Sequence, residues 1–272
     1  MQFTTNLTNL ISSTQLTCPA RNSKGCRIVA MCILVLPALI GCSTKPLDEM
    51  TTSELFTNPQ VAALVHAAET GDVKTIDELV TKGIDVNARG RGNVTPLVCT
   101  YIAHNFDGFD RLLKHGANPN LLDAIGRAIV LDAAMDQDSR FLRRALESGG
   151  DPNLVNVGNR YHITSTPLFY AIGQGRMENV RLLVAAGANV HQQEDNHATP
   201  LSEALIHGNF EIAMLLIKAG ADIHAKDRFG KNAVARVNTR AWALDTPNGK
   251  QSFRELIALM NSMGEKIPPY DD

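Results

Sequence analysis

An all-α solenoid of stacked helix–turn–helix units is predicted by three features of this 272-residue sequence. The first is an echo at a period of 33: Thr166-Pro167-Leu168 returns as Thr199-Pro200-Leu201, and Gly187-Ala188-Asn189 as Gly220-Ala221-Asp222. The second is a punctuating glycine at Gly83, Gly116, Gly149, Gly187 and Gly220, at intervals of 33, 33, 38 and 33 along the chain. The third is a pair of short apolar stripes inside each period, neither of which can be buried alone. A fixed period of this length marks a repeat array whose units must stack to form a core.

Each element of the unit has a local cause. Thr166 is placed to cap a helix, and Pro167 to occupy its first position, where a missing N–H costs nothing. Leu168, Ala171 and Ile172 follow at helical spacing. Gly175 ends this first helix, because glycine adopts the left-handed conformation freely. Val180, Leu182, Leu183 and Val184 form the second stripe, and Gly187 closes it. At one constant offset before each closing glycine stand Ala62, Thr95, Ala128, Thr166 and Thr199. Thr95-Pro96-Leu97 is intact. Ala128-Ile129-Val130 is degenerate but keeps the small pair Ala133-Ala134. A sixth, weaker unit starts at Asn232-Ala233-Val234, has its second helix over Phe253–Met260 and ends at Gly264.

The T-P-L string, the following alanine, the inter-helix glycine, the V-x-L-L run and the G-A-N or G-A-D ending resemble the ankyrin repeat. The resemblance covers residues 58–267, about six repeats, and implies an ankyrin-repeat solenoid that binds another protein. The exact period and the T-P-L string weigh against other helical arrays such as the tetratricopeptide repeat. Residues 268–272 form a C-terminal tail.

The front end reads as an export signal. No Asp or Glu occurs before Cys42, and Arg21, Lys24 and Arg27 precede an apolar run over 28–40. That run is too short to span a bilayer, which takes roughly 20 residues, and suits a signal peptide. Leu39-Ile40-Gly41-Cys42 resembles the lipobox of bacterial lipoproteins, which implies cleavage before Cys42 and lipidation of its thiol. Residues 1–41 are then a lipoprotein signal peptide and 42–57 a flexible tether. Ser43 after the cysteine resembles lipoproteins sorted to an outer membrane, which places the protein in a bacterial envelope, on the periplasmic face of the outer membrane. Cleavage takes Arg21, Lys24 and Arg27 from the 26 basic side chains and none from the 28 acidic ones. Cys99 is then the one unmodified thiol. An internal disulfide is thereby excluded, and Cys99 reads as a small core residue.

The acidic balance argues against nucleic acid as a partner. No phosphate loop, H-E-x-x-H, G-x-S-x-G or paired C-x-x-C is present. The eight histidines are dispersed, so no metal, cofactor, catalytic residue or small-molecule substrate is expected. Asp132, Asp136 and Asp138 form an acidic group that reads as a solvated face. The resemblance places a partner on the concave surface made by finger tips and first helices. The tips expected there are Arg89, Arg91, Arg160, Tyr161, His162, Glu194, Asp195, Arg228 and Phe229, with Leu121 and Leu122 beside them. The first-helix residues expected there are Ile102, Met135, Asp136, Gln174 and His207, together with Glu69, Thr70 and Ile206. The extra length of the one long interval falls in the loop Asn156–Ser165. A second insertion, Trp242–Lys250, holds the single tryptophan, expected to cap the array end. The function expected is a non-catalytic, lipid-anchored envelope protein that binds and regulates a protein partner. A secreted effector or a toxin-neutralising, immunity-type binder is the alternative.

Overall fold

The computed structural model describes residues 50–156, 165–194, 197–227, 229–239 and 247–269. Thirteen α-helices lie within them, and no strand. A short α1 (Thr52–Leu55) precedes six helix pairs. These are α2 (Pro59–Thr70) with α3 (Val73–Thr81), α4 (Pro96–Ile102) with α5 (Phe106–Lys114), and α6 (Ile129–Met135) with α7 (Ser139–Glu147). The other three are α8 (Pro167–Gly173) with α9 (Met177–Ala185), α10 (Pro200–Ile206) with α11 (Phe210–Lys218), and α12 (Ala233–Thr239) with α13 (Pro247–Ser262). The first helices α2, α4, α6, α8 and α10 pack side by side in chain order, and the second helices form a parallel row behind them.

The expected punctuation is visible in the backbone. Gly83, Gly116, Gly149, Gly187 and Gly220 all take φ between +86° and +94°. A Cβ on any of them would meet open space, so conformation alone requires glycine there. Pro96, Pro167 and Pro200 open their helices. The Thr95 hydroxyl accepts from the Val98 amide at 3.4 Å. Thr199 and Ser202 cap reciprocally at 3.0 and 2.9 Å. The Thr166 hydroxyl makes no such cap, against expectation, and Ala128 has none to make. Both helices still form because their apolar stripes are buried: Leu168, Ala171 and Ile172 in one, and Ile129, Val130, Ala133 and Ala134 in the other. Most helical stability in a folded chain comes from such packing.

Three other departures have physical causes. First, α2 begins at Pro59, ahead of the expected Ala62, because Asn58 accepts from the Gln60 amide and caps it there. Second, packed structure starts inside the segment expected to be a tether. Thr51 and Glu54 box α1, while Met50, Leu55 and Phe56 are buried against the first repeat. They pack on the outward apolar face of the first helix pair. Third, α13 starts at Pro247 and runs to Ser262, well beyond Phe253–Met260, with proline again at the first turn. Trp242 lies outside the described residues.

Neighbouring repeats are joined by directional bonds as well as by apolar contact. Asn87 Nδ2 donates to the Gly116 carbonyl at 3.1 Å, and its Oδ1 accepts from the Asn118 amide at 2.8 Å. Asn120 does the same with Gly149 and Asp151, and Asn153 with Gly187 and Asn189. His191 and His224 stand at the equivalent place in the next two turns. The second-helix row adds ion pairs between repeats: Asp77 with Arg111, Asp110 with Arg144, and Glu178 with Arg143. Phe109 and Phe141 meet edge to face at 5.0 Å, with Tyr101 against Phe141 at 5.2 Å, forming the seam between the second and third repeats.

At Gly108 the backbones of two repeats come into direct contact. A Cβ there would lie 2.0 Å from the Ala68 carbonyl oxygen. Gly108→Ala is therefore expected to destabilise the array by about 3 kcal/mol through overpacking. Gly116→Ala, which meets only left-handed backbone strain, is expected to cost about 1 kcal/mol. Urea unfolding followed by circular dichroism checks the order; equal losses would contradict it.

Candidate binding surface

Two kinds of element build the surface opposite the second helices. Between repeats the chain makes a narrow finger closed by one backbone hydrogen bond. The closures are Gly90 to Val94, Asp123 to Arg127, Asn156 to Ser165, Glu194 to Ala198 and Asp227 to Lys231, at 2.8–3.1 Å. Behind the fingers, each first helix shows one stripe at i, i+3, i+4 spacing. Asp132, Met135 and Asp136 form it in α6. Its equivalents are Cys99, Ile102 and Ala103 in repeat two, Tyr170, Gly173 and Gln174 in repeat four, and Glu203, Ile206 and His207 in repeat five.

Carboxylates fix the fingers from within. Asp123 accepts from the Ile125 and Arg127 amides, each at 2.9 Å, and its other oxygen pairs with the Arg127 guanidinium at 3.2 Å. Asp227 repeats the arrangement with the Phe229 and Lys231 amides at 2.7 and 3.1 Å, and holds Arg236 in a buried ion pair. Burial pushes the Asp227 carboxyl up, but the two amides and Arg236 outweigh it and hold it below the usual range. The Arg236 guanidinium also lies under the Phe229 ring, 5.6 Å from its centre. Phe229, 64% exposed, is the most exposed large apolar side chain among the described residues, and Ile125 on its own finger is 45% exposed.

The remaining expected contacts fall as follows. Arg89 and Arg91 are exposed on the first finger, and Arg89 Nη1 donates to the Leu122 carbonyl of the next finger at 3.0 Å. Gln174 and His207 are exposed at first-helix ends, with His207 Nε2 3.0 Å from Glu203 Oε1. Ile102, Met135, Asp136, Ile206 and Glu194 are half-buried, as are Leu121 and Leu122. Cys99 is buried in the core. Cys42, Arg160, Tyr161, His162, Asp195 and Arg228 lie outside the described residues.

The third repeat departs from its neighbours at this surface. In repeats one, two, four and five the first helix ends on a left-handed residue: Gly71, His104, Gly175 or Gly208. The α6 helix ends on extended Asp136, leaving its last carbonyls without that cap. Repeat four supplies the missing donors. Asn179 Nδ2 reaches the carbonyls of Ala133, Ala134 and Asp136 at 2.8–3.2 Å, and Arg176 Nε that of Met135 at 2.9 Å. Tyr101 reaches across from repeat two, donating at 3.0 Å to Asp136 Oδ2. Asp132 stands half-buried beside them. Burial raises its carboxyl to about 6, opposed by a partial pull from Arg127 and reinforced by the Asp123 charge. On the opposite row, hydrogen bonds from Arg111 and His115 hold Asp77 down to about 2.

Tyr101 and Glu203 were not legible as surface residues from the sequence. Tyr101 stands where the other central repeats have Ala134, Ile172 and Leu205, so a polar aromatic at an apolar position was the available signal. Glu203 precedes His207 by one helical turn, which was its signal. Among the described residues, no group of three or more His, Cys, Asp and Glu side chains is arranged to hold a metal ion. No helix among them is long and apolar enough to cross a membrane.

Stacked helix pairs, fingers and a continuous first-helix face define a repeat-built interaction scaffold. The family model for ankyrin repeats, in three copies, matches residues 130–227. Protein PhlB of Serratia liquefaciens is 31% identical over 165 residues, spanning 60% of this chain and 70% of that protein. The crystal structure of an ankyrin repeat domain from Acinetobacter baumannii superposes with a TM-score of 0.61 at 30% identity, covering 73% of this chain and 97% of that one. The mitochondrial disaggregase of Bos taurus is 34% identical over 135 residues, which is 49% of this chain but 20% of that protein. The chain belongs to the ankyrin repeat family.

The raised Asp132 carboxyl has a signed consequence. Its folded value of about 6 exceeds the ordinary 3.8, so ionisation costs stability at neutral pH, and that cost fades as pH falls from about 6 to 3.8. Asp132→Asn is expected to stabilise the protein by roughly 1–2 kcal/mol at pH 7.5 and by almost nothing at pH 4. Urea midpoints at the two pH values check this; a substitution that destabilises equally at both would contradict it.

Proposed function

We propose that this protein is a non-catalytic, lipid-anchored component of a bacterial envelope whose ankyrin repeats bind and regulate a protein partner. One observation carries the binding reading: among the described residues, helix pairs recur from Pro59 to Ser262, and their first helices expose Gln174 and His207 and leave Ile102, Met135, Asp136 and Ile206 half-buried. Rigid, preformed surfaces of this kind bind without paying to order themselves. The second-helix row, by contrast, is committed to ion pairs between repeats.

The anchor rests on the sequence Leu39-Ile40-Gly41-Cys42 at the end of a basic-then-apolar segment. The bacterial source of two of the similar proteins agrees with it. Ser43 favours the outer membrane, with the array on its periplasmic face. Anchoring would raise the local concentration of the array around other envelope proteins. A freely exported effector has no use for the cysteine, so that reading separates from the anchored one at Cys42; a toxin-neutralising, immunity-type binder differs from it only in its partner.

Two outcomes are expected. Cys42→Ala should move the protein from the membrane fraction to the soluble one and abolish labelling by a fatty-acid analogue; an unchanged distribution would remove the anchor from the account. A photoreactive side chain at Met135 should give a discrete protein adduct in native envelopes, and one at Glu147 on the opposite row should not. The absence of any protein adduct from Met135 would defeat the binding reading.

A further inference from the structure

Carboxylates are treated differently on the two faces of the array. On the second-helix row, Asp77, Asp110 and Glu178 each meet an arginine of a neighbouring repeat at ion-pair distance. On the first-helix face, Asp132 and Asp136 meet no lysine or arginine of the described residues at that distance, and Glu203 meets only His207. The cations nearby are engaged otherwise. Arg127 holds Asp123, and Arg176 donates to the Met135 carbonyl. Asp136 is oriented by the Tyr101 hydroxyl through one oxygen and by the Asp138 amide, at 3.0 Å, through the other. It is thus held in place without its charge being neutralised.

These acids share their helical stripes with apolar side chains. Ile102, Met135 and Ile206 are all half-buried, one turn along from Cys99, Asp132 and Glu203. Along the stacking direction the face therefore sets an apolar row, Ile102, Met135 and Ile206, beside a row that carries Asp132 and Glu203. Its spacing follows the packing of neighbouring first helices, whose axes lie roughly 8–10 Å apart. Carboxylates left partly shielded from water and without a cation are a standing cost. A positive group brought by a partner would remove that cost, while the apolar positions would supply contact area.

Resting on the protein-binding reading above, we propose that this face takes a polypeptide segment in which lysine or arginine alternates with apolar side chains. The positive groups pair with Asp132, Asp136 and Glu203, and the apolar ones pack on Ile102, Met135 and Ile206. The segment lies across repeats two to five.

Surface plasmon resonance on the immobilised full-length chain, at near-physiological salt, tests this with an alternating Lys/Leu peptide and its Glu/Leu counterpart. The Lys/Leu peptide should bind and the Glu/Leu peptide should not. Combined Asp132→Asn, Asp136→Asn and Glu203→Gln should weaken binding roughly tenfold. Combined Glu78→Gln, Glu147→Gln and Glu255→Gln changes net charge equally at exposed sites on the second helices, and should weaken it less than twofold. Asp132→Asn alone keeps the shape of the side chain and should weaken binding measurably in a protein with unchanged circular dichroism. No binding of the Lys/Leu peptide, equal binding of both peptides, or equal loss from the two triple variants would overturn the proposal. Those results would leave the protein-binding reading to the Met135 adduct, which does not depend on the partner's charge.

Discussion

Everything in this structure depends on the contact between one repeat and the next. A pair of short helices such as α4 and α5 has an apolar face on each side and no interior of its own. Stacking buries both faces, so stability accumulates along the array as a sum of neighbour interfaces. The bonds that fix the stacking register are local and repeated: an asparagine bridging two turns, an arginine bridging two second helices, a glycine that lets two backbones touch. The two ends meet the same constraint differently. At the front, Met50, Leu55 and Phe56 cover the first repeat; at the back, the long α13 packs on α11 through Phe253 against Phe210.

The same constraint separates the two faces. Second helices are tied to one another by charge across repeats, through Asp77, Asp110 and Glu178, which helps to fix their spacing. First helices are tied mainly by small and apolar side chains, and their outward stripe makes few bonds. Repeat three is the place where this arrangement is most exposed. Its first helix ends without a left-handed cap, and its carbonyls depend on Asn179 and Arg176 of the following repeat. The Asp132 and Asp136 charges sit beside that borrowed cap, which gives the surface a fixed negative point near the middle of the array.

The repeat register was legible in the sequence because it is set by backbone conformation. Only glycine takes the strongly positive φ of the closing positions without strain, so they carry the same residue regardless of what surrounds them. Helix starts were less legible. Thr166 looks like a cap and does not act as one, while α2 and α13 begin earlier than the period implies because Asn58 and two prolines start them. The surface was legible only in outline. Finger and first-helix positions follow from register, and Phe229 stands out on that basis. Which carboxylates are neutralised does not follow, because Arg111 reaches Asp77, and Arg144 reaches Asp110, from a full repeat away in the chain. Tyr101 and Asn179 likewise act on a neighbouring repeat, so their roles appear only once the repeats are stacked.

The central claim is that the first-helix face, and not the second-helix row, is the part of the array left open for a partner. Amide hydrogen exchange on the protein with and without the partner recovered through the Met135 adduct tests it most directly. Added protection is predicted over 98–103, 131–136, 170–174 and 203–207. Protection confined to 139–147 and 177–185, on the second helices, would contradict it.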